Sequence, residues 1–195
     1  GELELRERER RVLGERHERA GLAVGRPALE RNRVHRDLDR LLADVDGDGK
    51  DEIIYGSMVV DDDGKGLFST GLRHGDALHA GDLDPERSGL EVFGIHENEE
   101  ATVALKTPGL ALYDARNGQI LWSLLPGGDV GRGLAADIDP RHRGAEYWTN
   151  TPVGHLDARG TRIGDAPSAV NFAVWWDADP LRELHARGTI SKWKG

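Results

Sequence analysis

Apolar residues in this chain come in short runs, among them Ile53-Ile54-Tyr55, Leu90 to Phe93, Leu112-Tyr113 and Tyr147-Trp148, each cut off by turn-forming residues. Runs of this length between turn residues predict strands, not long helices. The 26 glycines and 8 prolines scattered through 195 residues point the same way, towards an all-β protein with many turns. Three stretches carry a hairpin outline: Val60 to Phe68, Leu112 to Trp122 around Asn117-Gly118, and Leu156 to Ile163 around Arg159-Gly160. Asn-Gly or Asp-Gly between alternating apolar positions is the strongest short-range hairpin signal. Gly188 to Trp193 predicts the second strand of one more hairpin.

An internal repeat orders these elements. Ala43-Asp44-Val45-Asp46 leads to Glu52, Gly81-Asp82-Leu83-Asp84 to Glu91, and Ala136-Asp137-Ile138-Asp139 to Glu146, each glutamate opening an apolar strand. A weaker fourth copy is Trp176-Asp177-Ala178-Asp179, leading to Glu183. The unit is strand, acidic turn, strand, hairpin, strand. Its spacing is 38 residues from Asp44 to Asp82 and 55 from Asp82 to Asp137. Propeller blades repeat at about 40–50 residues with four strands each, so the pattern predicts a partial β-propeller of about three blades plus part of a fourth. The longer spacing predicts an inserted loop from His96 to Pro108.

Residues 1–41 read differently. Glu and Arg alternate through Glu7 to Arg11 with few apolar positions, which predicts a charged, solvated arm outside the repeat region of 42–195. The formal charge of −9 is split accordingly: 11 arginines against 9 acids in 1–41 give +2, leaving −11 on the rest. That acidic surplus argues against a nucleic-acid partner. No run approaches the roughly 20 apolar residues of a membrane span, and Gly1 to Arg6 lacks the order of a signal peptide, so any export signal is expected to have been removed or never included. With no cysteine there is no disulfide or thiolate site, and oxygen ligands become the natural route to bound cations.

The acidic turns suit such cations. Asp44, Asp46, Asp48 and Glu52 stand at loop positions 1, 3, 5 and 9, with the Lys50 carbonyl at position 7 and glycines for the sharp bend. Ca2+ prefers six to eight oxygens in flexible geometry, and four carboxylates in nine residues repel one another otherwise. Asp82, Asp84 and Glu91, and Asp137, Asp139 and Glu146, form smaller versions that bind calcium or else cap backbone amides.

Several motifs carry a family resemblance: His74 to His79, Gly81 to Pro85, Gly128 to Gly133, Ala136 to Pro140 and Val170 to Asp177. In this order, over about residues 42–193, they resemble the eight-bladed propeller rhamnogalacturonan lyases. The resemblance implies a fragment of a secreted, extracellular, calcium-dependent polysaccharide lyase that cleaves the rhamnose-galacturonate backbone of pectin, with the remaining blades lying outside this chain. A non-catalytic calcium-binding module for carbohydrate binding or adhesion is the alternative.

β-Elimination at a uronate needs a base for the C5 proton, a cation against the carboxylate, and an acid for the departing O4. His74 and His79 suit proton transfer and Arg132, between Gly131 and Gly133, suits the carboxylate. Both loops precede an acidic turn, which predicts that they open on one face of the repeat. Asp76 is placed either to orient His74 or to join a calcium shell. Asn171 and Trp175 are candidate sugar contacts. Adjacent Trp175 and Trp176 on a strand would point to opposite sides, placing at least one in the core, and Trp122, Trp148 and Trp193 at strand ends read as core too. His96, His142 and His155 read as surface or turn residues.

Overall fold

The computed structural model describes residues 35–37, 40–73, 75–96, 107–126, 128–150 and 153–195, with side chains from Leu41 onward. Every regular element among them is a strand. The first sheet holds β1 (His35–Asp37), β2 (Arg40–Ala43), β3 (Glu52–Tyr55), β4 (Met58–Val60) and β5 (Gly66–Ser69). The second holds β6 (Ala77–Gly81), β7 (Glu91–Ile95), β8 (Leu110–Asp114) and β9 (Ile120–Leu124), and the third β10 (Gly133–Ala136), β11 (Glu146–Thr149), β12 (His155–Leu156) and β13 (Arg162–Gly164). The fourth has β14 (Phe172–Val174), β15 (Glu183–Ala186) and β16 (Thr189–Ser191). Strands follow chain order in all four sheets and pair antiparallel with their neighbours, so each sheet is a meander. Residues 33–195 form one compact unit; the other, 1–32, lies outside the described residues. Because β1 and β2 pair with each other, and β2 with β3, the first sheet begins at His35, inside the stretch that its charge alternation sets apart.

The meanders stack through alternating side chains. On β7, Val92 packs with Leu41, Ala43, Ile54 and Val59 of the first sheet, whereas neighbouring Phe93 packs with Ala135, Tyr147 and Leu156 of the third. On β11, Tyr147 faces the second sheet, and Trp148 joins Ala173 and Leu184 of the fourth. Successive residues of a strand point to opposite faces, and here both faces are covered. This is why β7 and β11 are buried throughout, while β3 alternates between buried and exposed positions. Aromatic rings close the middle interface: Phe93 and Tyr147 lie 4.8 Å apart, and Trp122 meets Tyr147 edge-on at 5.1 Å.

Two assignments of side chains change. His96 and His155 are buried, each 2% exposed, and are not surface residues. The Nδ1 of His96 donates to the Arg73 carbonyl at 2.6 Å, and His155 is held edge-on between Trp148 and Trp193. Burial pushes both imidazoles below their ordinary pKa, because a charged ring would lose its hydration there. Trp175 and Trp176 are 62% and 71% exposed, so neither is core. Strand β14 ends at Val174, which places both tryptophans in the following turn, where strand alternation does not apply.

Candidate functional site

Strands β2, β6, β10 and β14 occupy equivalent places, neighbouring one another from sheet to sheet. Each ends in an acidic turn. Backbone hydrogen bonds join these turns side by side: Ala145 N–H donates to the Leu83 carbonyl and Arg182 N–H to the Asp137 carbonyl, both at 2.8 Å. The other ends of β6, β10 and β14 are entered from the segments that carry Asp76, Arg132 and Asn171, all exposed. The structure therefore gathers these three at one end and the acidic turns at the other. Strands of three to five residues at about 3.3 Å each separate the two ends by about 10–17 Å.

His74 lies outside the described residues, as does 97–106 of the expected inserted loop. His79 sits within β6, half-buried, with Nε2 3.1 Å from the Gly133 carbonyl and its ring stacked near Phe93. That geometry ties β6 to β10. The Arg132 carbonyl accepts the Asn150 N–H at 2.8 Å, which fixes its backbone and leaves the guanidinium at the surface. Trp175 is at the acidic end, away from Arg132, with the Arg182 guanidinium 3.9 Å above its ring.

Each acidic turn is closed by its glutamate. Glu52, Glu91, Glu146 and Glu183 pair across the ladder with Ala43, Gly81, Ala136 and Val174, the last residues of the preceding strands. All four are buried. One oxygen, Oε2, accepts the backbone N–H of Val45 at 2.7 Å, of Leu83 and Asp84 at 3.0 Å, of Ile138 and Asp139 at 2.8 and 3.0 Å, and of Trp176 at 2.8 Å. This register shifts the fourth copy by two residues from the alignment on its Asp-x-Asp pair. Trp175 stands where the other turns have their first aspartate, and Asp177 matches Asp46, Asp84 and Asp139.

The turns differ in what surrounds the carboxylates. In the first, Asp44, Asp46 and Asp48 bring oxygens within 4.8 Å of one another, Glu52 groups separately with Asp61 and Asp62, and the Oε1 of Glu52, like that of Glu146 in the third turn, is buried without a hydrogen-bond partner. Burial, with Asp46, Asp44 and Asp48 nearby, raises the Glu52 carboxyl above its usual range. An oxygen-rich turn with an orphaned buried carboxylate oxygen fits a hard divalent cation. Among the described residues the second and third turns form no such group. In the third, the Arg141 Nε lies 2.8 and 3.1 Å from the two oxygens of Asp139, a fork that holds this carboxyl down to about 2. Burial pushes its neighbour Glu146 up to about 8. In the second, Arg87 reaches towards Glu91 at 3.8 Å and Asp114 at 3.6 Å. In the fourth, Lys192 enters between Asp177, Asp179 and Glu183.

Stacked equivalent meanders, each closed by an acidic turn, define a repeat-built all-β protein. Residues 30–195 match the family described as rhamnogalacturonan lyase family 11, C-terminal domain, and the chain belongs to that family. The rhamnogalacturonan endolyase YesW of Bacillus subtilis (strain 168) is 58% identical over 153 residues, covering 78% of this chain and 24% of that protein. The rhamnogalacturonan exolyase YesX of the same organism is 56% identical over 151 residues, covering 73% and 24%. The crystal structure of YesW aligns with a TM-score of 0.72 at 52% identity, over 87% of this chain and 28% of that one. This chain thus spans about a quarter of the length of the curated relatives it matches.

Proposed function

We propose that this chain is part of a secreted rhamnogalacturonan lyase, built as consecutive blades of a β-propeller and braced by calcium at the first acidic turn. The single observation that carries the activity is the 58% identity to an endolyase across the sheet-forming region. The blade reading is supported by the succession of β2, β6, β10 and β14, the arrangement expected of inner strands around an axis. The remaining blades come from the rest of the protein.

Asp44, Asp46 and Asp48, with the Lys50 carbonyl and Glu52, would hold calcium, which would neutralise their charge and brace the loop before β3. The first turn stands at the far end of the inner strands from Arg132, so an ion there would brace the turn, and the arginine would meet the substrate carboxylate. In the elimination a base takes the C5 proton, the released pair forms the C4–C5 double bond, the C4–O4 bond breaks, and O4 gains a proton. In this reading Arg132 neutralises the uronate and acidifies C5–H, with His74 as the proton-transfer group. His79, bound to Gly133, positions β10 and the adjoining Arg132.

Incubating the full-length protein containing this chain with rhamnogalacturonan is expected to raise the ultraviolet absorbance of an unsaturated uronate, and Arg132→Ala to abolish most of that rise. Absence of product in the unmodified protein overturns the lyase reading. Oligosaccharide binding without turnover would instead favour the carbohydrate-binding module, which the exposed Trp175 and Trp176 suit. Chelation is expected to lower the melting temperature, and the double change Asp44→Ala with Asp48→Ala to remove most of that sensitivity. A chelator-insensitive melt would refute the calcium brace.

A further inference from the structure

The first and fourth turns agree in length and in part of their hydrogen bonding, but differ in charge and at Gly49, whose φ is +94° and whose counterpart is Pro180. Both have eight residues between the paired positions, 44–51 between Ala43 and Glu52, and 175–182 between Val174 and Glu183. Asp48 N–H donates to Asp46 Oδ1 at 3.0 Å, as Asp179 N–H does to Asp177 Oδ1 at 3.3 Å. Lys50 N–H donates to Asp48 Oδ1, and Leu181 N–H to Asp179 Oδ1, both at 2.8 Å. Gly47 has φ +88°, and its counterpart Ala178 adopts φ +69° despite its side chain. Alanine is rarely found in this region, so the fourth turn is held there by its surroundings.

What holds it is visible across the sheet. Residues opposite the turn glutamate on the third strand are Asp114 for Glu91 and, by the same registers, Asp61 for Glu52 and Asp157 for Glu146. Extending the pairing of Leu184 with Ser191 by one step puts Lys192 opposite Glu183. Three sheets place an acid at this position and the fourth a lysine. Its Nζ lies 2.9 Å from Asp177 Oδ2 and 3.3 Å from Glu183 Oε1, and it also bonds Asp179. An ammonium has three donors, and here it meets three carboxylates whose oxygens lie within 4.8 Å of one another. Glu183 is 3% exposed, so its carboxyl is shut off from bulk water and faces the Lys192 ammonium instead.

We infer that the fourth turn is a cation site whose ion is built into the chain: the Lys192 ammonium sets the turn, and its removal converts Asp177, Asp179 and Glu183 into a divalent-metal site. The equivalence of ammonium and metal rests on the calcium reading of the first turn; the tether by Lys192 does not.

The test uses Lys192→Met and Lys192→Arg in the full chain. With chelator present, Lys192→Met is expected to melt several degrees below the parent and Lys192→Arg close to it. Millimolar calcium is expected to recover at least half of the loss in Lys192→Met. Terbium is expected to gain tryptophan-sensitised emission in Lys192→Met, through neighbouring Trp175 and Trp176, and to lose that gain when Asp177→Asn is added. A Lys192→Met chain that folds only with calcium is the same result in stronger form. An unchanged melt in chelator overturns the tether. No gain of terbium emission, or misfolding of Lys192→Met with and without calcium while Lys192→Arg folds, overturns the metal equivalence. Failure of the first-turn calcium reading is recognised separately, by a parent melt that chelator leaves unchanged.

Discussion

Glu146→Ala is expected to destabilise the chain by about 2–4 kcal/mol, because two backbone donors in the third turn lose their common acceptor. Glu146 Oε2 takes the N–H groups of Ile138 and Asp139 in a buried turn. An orphaned buried donor costs about 1–3 kcal/mol. Part of this is offset by removing a carboxyl whose burial already pushes it up to about 8. Glu146→Gln keeps an oxygen acceptor and drops the charge that the carboxyl gains only above about pH 8, so it is expected to retain most of the stability near neutral pH. Urea unfolding of both variants above that pH, where the parent carboxyl is ionised, separates the acceptor from the charge. Equal losses in alanine and glutamine variants would show that the charge, and not the acceptor, organises the turn.

Trp148→Ala is expected to cost about 3–5 kcal/mol, the range for deleting a large buried aromatic side chain. This is a large fraction of the roughly 5–15 kcal/mol that stabilises a typical domain. Trp148 is fully buried between the third and fourth sheets with Leu134, Ala173 and Leu184. Its Nε1 donates to the Ala169 carbonyl at 2.6 Å, and its ring meets His155 edge-on. Trp148→Phe keeps much of the packing but leaves that carbonyl without its donor, so an intermediate loss is expected. Denaturant midpoints measure both, and a loss below about 1 kcal/mol for Trp148→Ala would mean that the two sheets do not depend on this contact.

Much of the strand order was legible because its signals are local. Asp114 to Gln119 forms the hairpin that Asn117-Gly118 announces, with the Asp114 N–H bonded to the Gln119 carbonyl. The glutamate closing each turn was legible too, since its distance from the aspartates is nearly constant. The fourth turn was misaligned by two residues for an instructive reason. Asp177-Ala178-Asp179 looks like the repeated Asp-x-Asp, but register is decided by Glu183 opposite Val174, which puts Trp175 at the first acidic position. Trp175 and Trp176 were then read as strand residues although they belong to the turn. His96 and His155 are polar residues whose burial depends on neighbours distant in sequence, and no local pattern marks that.

The class of the protein is written in local sequence: short strands, turn positions, the recurring acids and the family pattern all lie within windows of a few residues, where backbone sterics and side-chain periodicity act. Tertiary structure decided what each acid meets. Arg141 covers Asp139, Lys192 enters the fourth turn, and the first turn gathers the oxygens of Asp44, Asp46 and Asp48. It also set the acidic turns at the opposite strand ends from Arg132. Such pairings depend on cross-strand register and on the stacking of one sheet against the next, which bring together charges that the chain itself keeps apart.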